Sequence, residues 1–405
     1  MVLTESIDGV VPRETIEPAS AEDVAATLAS ASKQRMSVVI RGGGTKIGWG
    51  RTPESVDIVL STKRLDAVVA HEHADLTATV QAGARLADVN RALARHGQWL
   101  PIESAFDEAT IGGAIATNDC GPLRHRYGTP RDVLIGIRLA LTDGRLIKAG
   151  GNVVKNVAGY DLGKLMSGSH GSLAAIVSAT FKLTPQPAAS STLVAAFERA
   201  DALVAALTAI TSSQLEASAI DVRTSHVASG FSRTSSGYEL LLKFESTPGA
   251  LNAHVQQARA LAGGATCDVV TSQSEVDVWR DHIRSPWRSP GMIVKFAWMP
   301  ASLGAVLAFI DDVRGSVAGV ELAGRAAIGS GLLRVDADAR VLRSVVERLR
   351  SRGDVFRHVV VLRADATLKQ QIDVWGPLGD AGSLGASLKH ALDPHGILNA
   401  GRGPV

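Results

Sequence analysis

The most restrictive feature of the sequence is a buried-strand pattern that empties directly into three consecutive glycines. Residues 37–40 read SVVI, and Arg41-Gly42-Gly43-Gly44-Thr45-Lys46 follows at once. Glycine takes positive φ without steric cost and lets backbone N–H groups approach an anion closely. Thr45 and Lys46 add a hydroxyl donor and a charge. Ile47 stands where the third glycine of G-x-G-x-x-G would be, and the Walker A spacing is also missing. A nicotinamide Rossmann site and a P-loop nucleotidase are therefore disfavoured. Taken alone, the triple glycine reads as an ordinary turn.

Three further stretches share this character. Ala109-Thr110-Ile111-Gly112-Gly113-Ala114-Ile115-Ala116-Thr117-Asn118 is followed by Gly121, Tyr127-Gly128 and Asp132. Its small residues mean that the backbone itself comes close to something, while Thr110, Thr117 and Asn118 supply polar contacts. The third stretch is Lys155-Asn156-Val157-Ala158-Gly159-Tyr160-Asp161-Leu162, then Gly168-Ser169-His170-Gly171 and on to Ile176-Val177. The fourth runs from Leu388 through Asp393-Pro394-His395-Gly396-Ile397-Leu398-Asn399-Ala400-Gly401-Arg402.

Hydrophobic periodicity divides the chain around these loops. Ser20 followed by Asp23 is a capping-box-like start to a helix over AEDVAATLASA. LTATVQ (76–81) alternates, with Leu76, Ala78 and Val80 on one face. RLADVNRALARHG (85–97) places Leu86, Val89 and Leu93 on one helical stripe, and Gly97 suits the position just past its end. IGIRLAL and IVSATFKL (176–183) read as strands, and TPQP (184–187) as a linker. Residues 190–365 twice give the order β-α-β-β-α-β, the ferredoxin-like arrangement. A last helix, LGASLKHAL (384–392), leads into the fourth stretch.

Charge and composition narrow the function classes. Among 405 residues, 42 Lys and Arg against 40 Asp and Glu leave a net charge of +2 with no basic run, which argues against a nucleic-acid partner. Aromatics at 4% are too few for base-stacking platforms. Cys120 and Cys267 form no CxxC, so a zinc ribbon or a cysteine-held iron–sulfur cluster is excluded. Glu5, Asp8 and Glu14 interrupt any signal-peptide core, and no uncharged apolar run approaches 18 residues. The expectation is a cytoplasmic protein. His71-Glu72-His73 lacks the spacing of a zinc peptidase and reads as a solvated loop.

The four stretches, in this order, resemble the FAD-binding domain of the p-cresol-methylhydroxylase (PCMH) and vanillyl-alcohol-oxidase flavoproteins. KNVAGYDLGKLMSGSHG resembles the E subunits of bacterial glycolate oxidases, relatives of the FAD-linked D-lactate dehydrogenases. The resemblance implies an α+β chain: a two-subdomain PCMH-type FAD-binding domain over 1–187, a substrate or cap domain of two ferredoxin-like units over 188–383, and a segment, 384–405, returning to the first domain. It also implies site residues. Gly42, Gly43, Gly44, Thr45 and Lys46 match the pyrophosphate loop. Ala82, Gly83, Pro101 and Ile102 match segments lining the flavin. Thr110, Ile111, Gly112, Gly113, Thr117 and Asn118 match the loop around the pyrophosphate and the ring edge. Ile176 and Val177 match the adenine end, and Asn399 the asparagine that approaches the ring.

Departures from the pattern carry expectations of their own. Thr45 stands where some relatives have a flavin-linking histidine, so FAD is expected to be non-covalent, with Cys120 a packed thiol and His170 without a catalytic role. The metal-binding H-x-G-D-G-N-x-H segment of relatives that act alone is missing, and His226, His254, His282 and His358 stand isolated. Arg223, Lys295, Arg334 and Arg363 are the candidates for holding a substrate carboxylate. The implied function is the FAD-binding subunit of a glycolate or other 2-hydroxy-acid oxidase complex. Its partners would be a second FAD-binding subunit and an iron–sulfur subunit, with membrane contact at most peripheral and through them. The alternatives are a stand-alone D-lactate-type dehydrogenase and a non-catalytic FAD-holding subunit.

Overall fold

Ser20 opens the first helix by accepting the Asp23 N–H at 3.0 Å, and the helix Ala21–Gln34 buries Val24, Ala25, Leu28 and Ala31. This is the capped amphipathic helix expected from the sequence. In the computed structural model, which describes residues 6–151, 159–225 and 237–404, the chain divides into two units. The first comprises Met1–Cys120, Gly128–Gln186 and Lys369–Val405; the second comprises Gly121–Tyr127 and Pro187–Leu368.

The first unit holds two main sheets. Strands β1 (Glu14–Ile16), β2 (Val38–Arg41) and β3 (Ile58–Ser61) form a parallel sheet in the order β1-β3-β2. The Ala21–Gln34 helix connects β1 to β2 and packs on Val38, Ile58 and Leu60. The chain's far end extends this sheet, because Leu398 bridges Val38 in parallel. The second sheet is antiparallel. It orders β4 (Val68–Glu72), β5 (Thr77–Gln81), β9 (Ala175–Lys182), β7 (Leu134–Ala140) and β8 (Leu146–Gly150) as β4-β5-β9-β7-β8. Ala78 and Val80 of β5 are buried with Leu86, Val89 and Leu93 of the helix Leu86–Leu93, as the two periodicities required. Gly97, at φ +67°, ends the 3₁₀ turn that continues that helix.

Two sequence expectations change here. His71 and Glu72 belong to β4 rather than to a loop, and His71 Nε2 lies 2.9 Å from Gln98 Oε1. Thr184-Pro185 is also not a free linker. It forms β10, paired with β6 (Gln98–Trp99), and the Gln186 N–H adds a bond to the Gly97 carbonyl.

The second unit is one eight-stranded antiparallel sheet with helices. β11 (Ala189–Phe197), β12 (Ala219–Thr224), β13 (Tyr238–Ser246) and β14 (Thr266–Val270) alternate with helices Ala200–Thr211 and Pro248–Leu261. β15 (Met292–Trp298), β16 (Gly319–Arg325), β17 (Ser330–Asp336) and β18 (Phe356–Arg363) repeat the order with helices Leu303–Ser316 and Ala339–Ser351. The strand order β14-β11-β13-β12-β16-β17-β15-β18 is two ferredoxin-like sheets fused where β12 pairs β16. A helix that the sequence reading left out, Ser272–Arg288, joins the two repeats. The return to the first unit comes at Lys369, earlier than residue 384. Lys369 Nζ bonds Asp8 at 2.8 Å, and Trp375 Nε1 donates to the Arg402 carbonyl at 2.9 Å.

Candidate functional site

The triple glycine is fixed by what surrounds it. A Cβ on Gly42 would stand 2.1 Å from Thr110 Oγ1, and one on Gly43 would stand 1.8 Å from the Glu108 carbonyl oxygen. A side chain at Gly42 would have to displace that of Thr110, and one at Gly43 would have to displace backbone. Gly44, at φ +75°, then turns the chain. Among the described residues, the amides of Gly42, Gly43, Gly44, Thr45 and Lys46 enter no hydrogen bond of the chain itself. A run of such donors beside a cleft is an anion cradle.

Facing this loop, Thr110 caps the helix Ile111–Thr117 through the Gly113 N–H at 3.3 Å, and Thr117 Oγ1 donates to the Gly113 carbonyl at 2.7 Å. Gly112 packs on Ala82, whose Cβ would lie 2.9 Å from an added methyl. Lys46 crosses behind the loop to Asp119 at 2.8 Å, with its side chain only 6% exposed. Ser104 Oγ donates to the same carboxylate oxygen at 2.8 Å. The Lys46 charge is thus balanced within the protein.

The third and fourth stretches close the other side. His170, at φ +53° between Gly168 and Gly171, sets its ring 4.7 Å from Trp375 and 6.5 Å from Trp49. Asn399 Nδ2 donates to the His170 carbonyl, and Asn399 Oδ1 accepts from Arg402 Nη1 at 3.1 Å. The buried Arg402 guanidinium also donates to the carbonyls of Ile47, Trp49 and Arg51, so it grips the segment after the glycines. Asp393 accepts the Ile397 and Leu398 N–H groups and Lys389 Nζ, which also donates to the Ser172 carbonyl. Burial holds the Lys389 ammonium below its ordinary range, against the opposing pull of Asp393.

These elements line an open cleft. Twelve expected site residues line it: Gly42, Gly43, Gly44, Thr45, Lys46, Ala82, Thr110, Gly112, Gly113, Thr117, Ile176 and Asn399. Six others sit behind it. Gly83 has no room for a Cβ against the Thr62 carbonyl and donates to the Leu65 carbonyl at 2.7 Å. Pro101, Ile102 and Ile111 are buried. Asn118 ends the helix at φ +45° and accepts the Arg131 N–H at 3.3 Å. Val177 follows Ile176 on a strand, where neighbours point to opposite faces, and packs under the Ala21–Gln34 helix.

Several contributors were not anticipated: Arg41, Trp49, Thr62, Ala116, Ala174 and Arg402 also line the cleft. His170, for which no catalytic role is expected, lines it as well. Lys155, Asn156, Val157 and Ala158 of the third stretch lie outside the described residues, as does His226. Cys120 is a free thiol that does not line the cleft. In the second unit, three expected carboxylate-holding residues are already engaged. Arg223 pairs Glu239 at 2.6 Å, Arg334 pairs Glu321 at 3.1 Å, and Arg363 donates to the Trp287 and Gly291 carbonyls. His282 is not isolated: its Nε2 lies 2.6 Å from Asp221 Oδ2, both fully buried.

The cleft suits an anionic, partly planar ligand. Among the described residues its lining carries Arg41, Lys46, His170 and Arg402 and no carboxylate. Arg41 Nε is buried with no hydrogen-bond partner. Ala82, Ala116 and Ala174 give small apolar walls.

Comparisons with known proteins agree with this geometry. Residues 12–150 match the family model described as "FAD binding domain". The chain is 36% identical over 193 residues to glycolate oxidase subunit GlcD of Bacillus subtilis (strain 168), covering 47% of this chain and 41% of that protein. It is 35% identical over 165 residues to glycolate oxidase subunit GlcE of Escherichia coli (strain K12), covering 40% of this chain and 47% of that protein. It is 29% identical over 419 aligned positions to D-2-hydroxyglutarate dehydrogenase of Xanthomonas citri pv. viticola, covering 95% of this chain and 88% of that one. The first two relatives it matches, GlcD and an Archaeoglobus fulgidus D-lactate dehydrogenase, are spanned over only 41% and 38% of their lengths. A solved structure of alkyldihydroxyacetonephosphate synthase shares the fold, with a TM-score of 0.75 at 17% identity over 96% of this chain and 76% of that chain.

Proposed function

We propose that this chain, which carries an FAD binding domain over residues 12–150, is an FAD-dependent oxidoreductase of 2-hydroxy acids. More finely, it is the FAD-binding subunit of a glycolate-oxidase-type complex. The observation that carries the reading is the cleft itself: a backbone cradle at Gly42–Lys46, cationic side chains, no carboxylate in the lining, and small apolar walls. The protein supplies binding and orientation, and FAD, when bound, supplies a two-electron acceptor for the carbon–hydrogen bond of the hydroxy acid.

The residues divide that work. The amides of Gly42–Lys46 would hold the diphosphate, and Gly112 and Gly113 would leave room for it at the facing helix. Arg402 and Asn399 hold the loop and the His170 turn in register. Thr45 stands where a linking histidine would be, and Cys120 is off the cleft, which supports non-covalent FAD.

Electrons leaving the flavin need a carrier on another chain. Cys120 and Cys267 are the only cysteines of this sequence, too few to hold a cysteine-ligated cluster. The partners in this reading are a second FAD-binding subunit and an iron–sulfur subunit, in the cytoplasm, with any membrane contact peripheral and through them. Among the described residues, no helix is long and apolar enough to cross a membrane.

Steady-state dye reduction by the isolated chain against the co-expressed complex, with glycolate and D-lactate, tests this. Turnover restored by the partners supports the subunit reading. A second reading, a stand-alone D-2-hydroxy-acid dehydrogenase, is favoured by the near-full-length match to the D-2-hydroxyglutarate enzyme. Equal turnover by the isolated chain would select it.

A further inference from the structure

Three permanent cations line the cleft, and two of them are committed elsewhere. Lys46 is paired with Asp119 at 2.8 Å and nearly buried. Arg402 spends its guanidinium on the Ile47, Trp49 and Arg51 carbonyls and on Asn399. Arg41 is different. Among the described residues no hydrogen bond or ion pair engages its side chain, and its Nε is buried without a partner.

The position of Arg41 is fixed. It is the last residue of β2, and its carbonyl accepts the Thr62 N–H at 2.9 Å. Its Cδ and Cγ lie 3.7 and 3.9 Å from where a Gly44 Cβ would stand, so the stem runs against the turn of the glycine loop. A buried donor without an acceptor is costly, and the cost is recovered when an anion arrives. The nearest backbone donors point to the same chemistry, because the Gly42–Lys46 amides are also unused within the chain.

Resting on the FAD reading, we infer that Arg41 is the residue that sets specificity for a dinucleotide diphosphate over a flavin lacking one, by donating charge-assisted hydrogen bonds to the diphosphate. Lys46, the expected cation of the loop, instead braces it through Asp119. A guanidinium forks onto two phosphate oxygens at once, whereas an ammonium acts as a point charge, so lysine substitutes incompletely.

The test uses full-length chain purified flavin-free from a riboflavin-limited culture, with affinity read from quenching of flavin fluorescence. Arg41→Gln should weaken FAD about 10- to 100-fold, the range of a lost charge-assisted bond. Riboflavin, which has no phosphate, should change by less than about twofold. Arg41→Lys should fall between. The wild-type affinity for FAD should also fall more steeply with added salt than that of Arg41→Gln. Unchanged FAD affinity in Arg41→Gln, or equal losses for FAD and riboflavin, overturns the inference and leaves the FAD reading standing. Absence of FAD binding by the wild-type chain overturns both. If Arg41→Gln does not fold, Arg41→Lys decides: a loss confined to FAD supports the inference, and a loss shared with riboflavin refutes it.

Discussion

Asn399 Nδ2 donates to the backbone carbonyl of His170 at 2.6 Å, joining two strained turns 229 residues apart in sequence. Both residues take positive φ, +51° at Asn399 and +53° at His170, and neither is glycine. Each turn holds the other in a conformation that it would rarely adopt alone.

Replacing Asn399 therefore separates two effects. Asn399→Gly keeps the backbone conformation but removes the bonds to the His170 carbonyl and Arg402, at a cost of about 1–3 kcal/mol. Asn399→Ala adds strain at positive φ, roughly 1 kcal/mol more. The expected order of thermal stability is Asn, Gly, Ala, and flavin retention after gel filtration should follow it. Equal stability of the Gly and Ala variants would remove strain from the account.

The glycines of the cleft differ in what they tolerate. A Cβ at Gly43 meets the Glu108 carbonyl at 1.8 Å, whereas one at Gly113 meets only Thr110 Oγ1, at 3.2 Å. Gly43→Ala should therefore give a chain that loses flavin or fails to fold, and Gly113→Ala a soluble chain that keeps it. Gly113→Asp should be soluble yet flavin-free, because its carboxylate repels the phosphates at short range. Flavin absorbance per chain is the measurement, and a flavin-replete Gly113→Asp protein would move the diphosphate elsewhere.

How much of this was legible depended on how local the signal was. The strand before the glycines, the alternation of β5 and the stripe of Leu86–Leu93 are each set by a few neighbouring residues, and the structure reproduces them. The helix Ser272–Arg288 escaped because its buried face is Glu275, Val278, Trp279, His282 and Pro286. Three of those five read as polar or helix-breaking, so hydropathy shows no stripe. Glu275 is buried because it accepts from Ser190 and Thr192, and His282 because it meets Asp221; both partnerships exist only after β11 and β12 have formed. Arg402 and His170 escaped for the same reason: their partners lie far away in the chain. Arg223, Arg334 and Arg363 are candidates for a substrate carboxylate on the sequence alone because it does not reveal which acceptors will surround them.

The His282–Asp221 pair makes the second unit sensitive to acid. Burial pulls the His282 imidazole below its ordinary value of 6.5 and outweighs Asp221, which pulls it up; Arg223 and Arg325 also lower it. The folded protein thus keeps His282 neutral where the unfolded chain binds a proton. This contribution to stability is complete above about pH 6.5 and is lost as pH falls toward the depressed folded value. Protection factors for hydrogen exchange over residues 272–288 should fall in the wild type as pH drops from about 7 to 5. His282→Gln should flatten that dependence, while His282→Ala, which removes the partner of Asp221 at 2.6 Å and leaves Arg325 at 3.8 Å, should cost about 1–3 kcal/mol at any pH in that range.

The proposal that FAD is held non-covalently has a direct readout. Precipitating the holoprotein with acid should leave a colourless pellet and a yellow supernatant, as expected with Thr45 at the loop and Cys120 off the cleft lining. A yellow pellet would point to a bond through another side chain, and His170 is the cleft-lining candidate to examine by peptide mass.

The clasp formed by Lys389, Asp393, Leu398, Asn399 and Arg402 also sets an order of events during biosynthesis. The glycine loop is synthesised early, but the carbonyls of Ile47, Trp49 and Arg51 have no guanidinium to grip them until Arg402 has been added. Residues 187–368 emerge from the ribosome in between and have their own sheet in which to fold. Chains stalled between residues 368 and 402 would therefore carry every residue of the second unit and still have an unlatched cradle. Cofactor loading therefore waits until Arg402 and its neighbours have been added, and that segment acts as its timer.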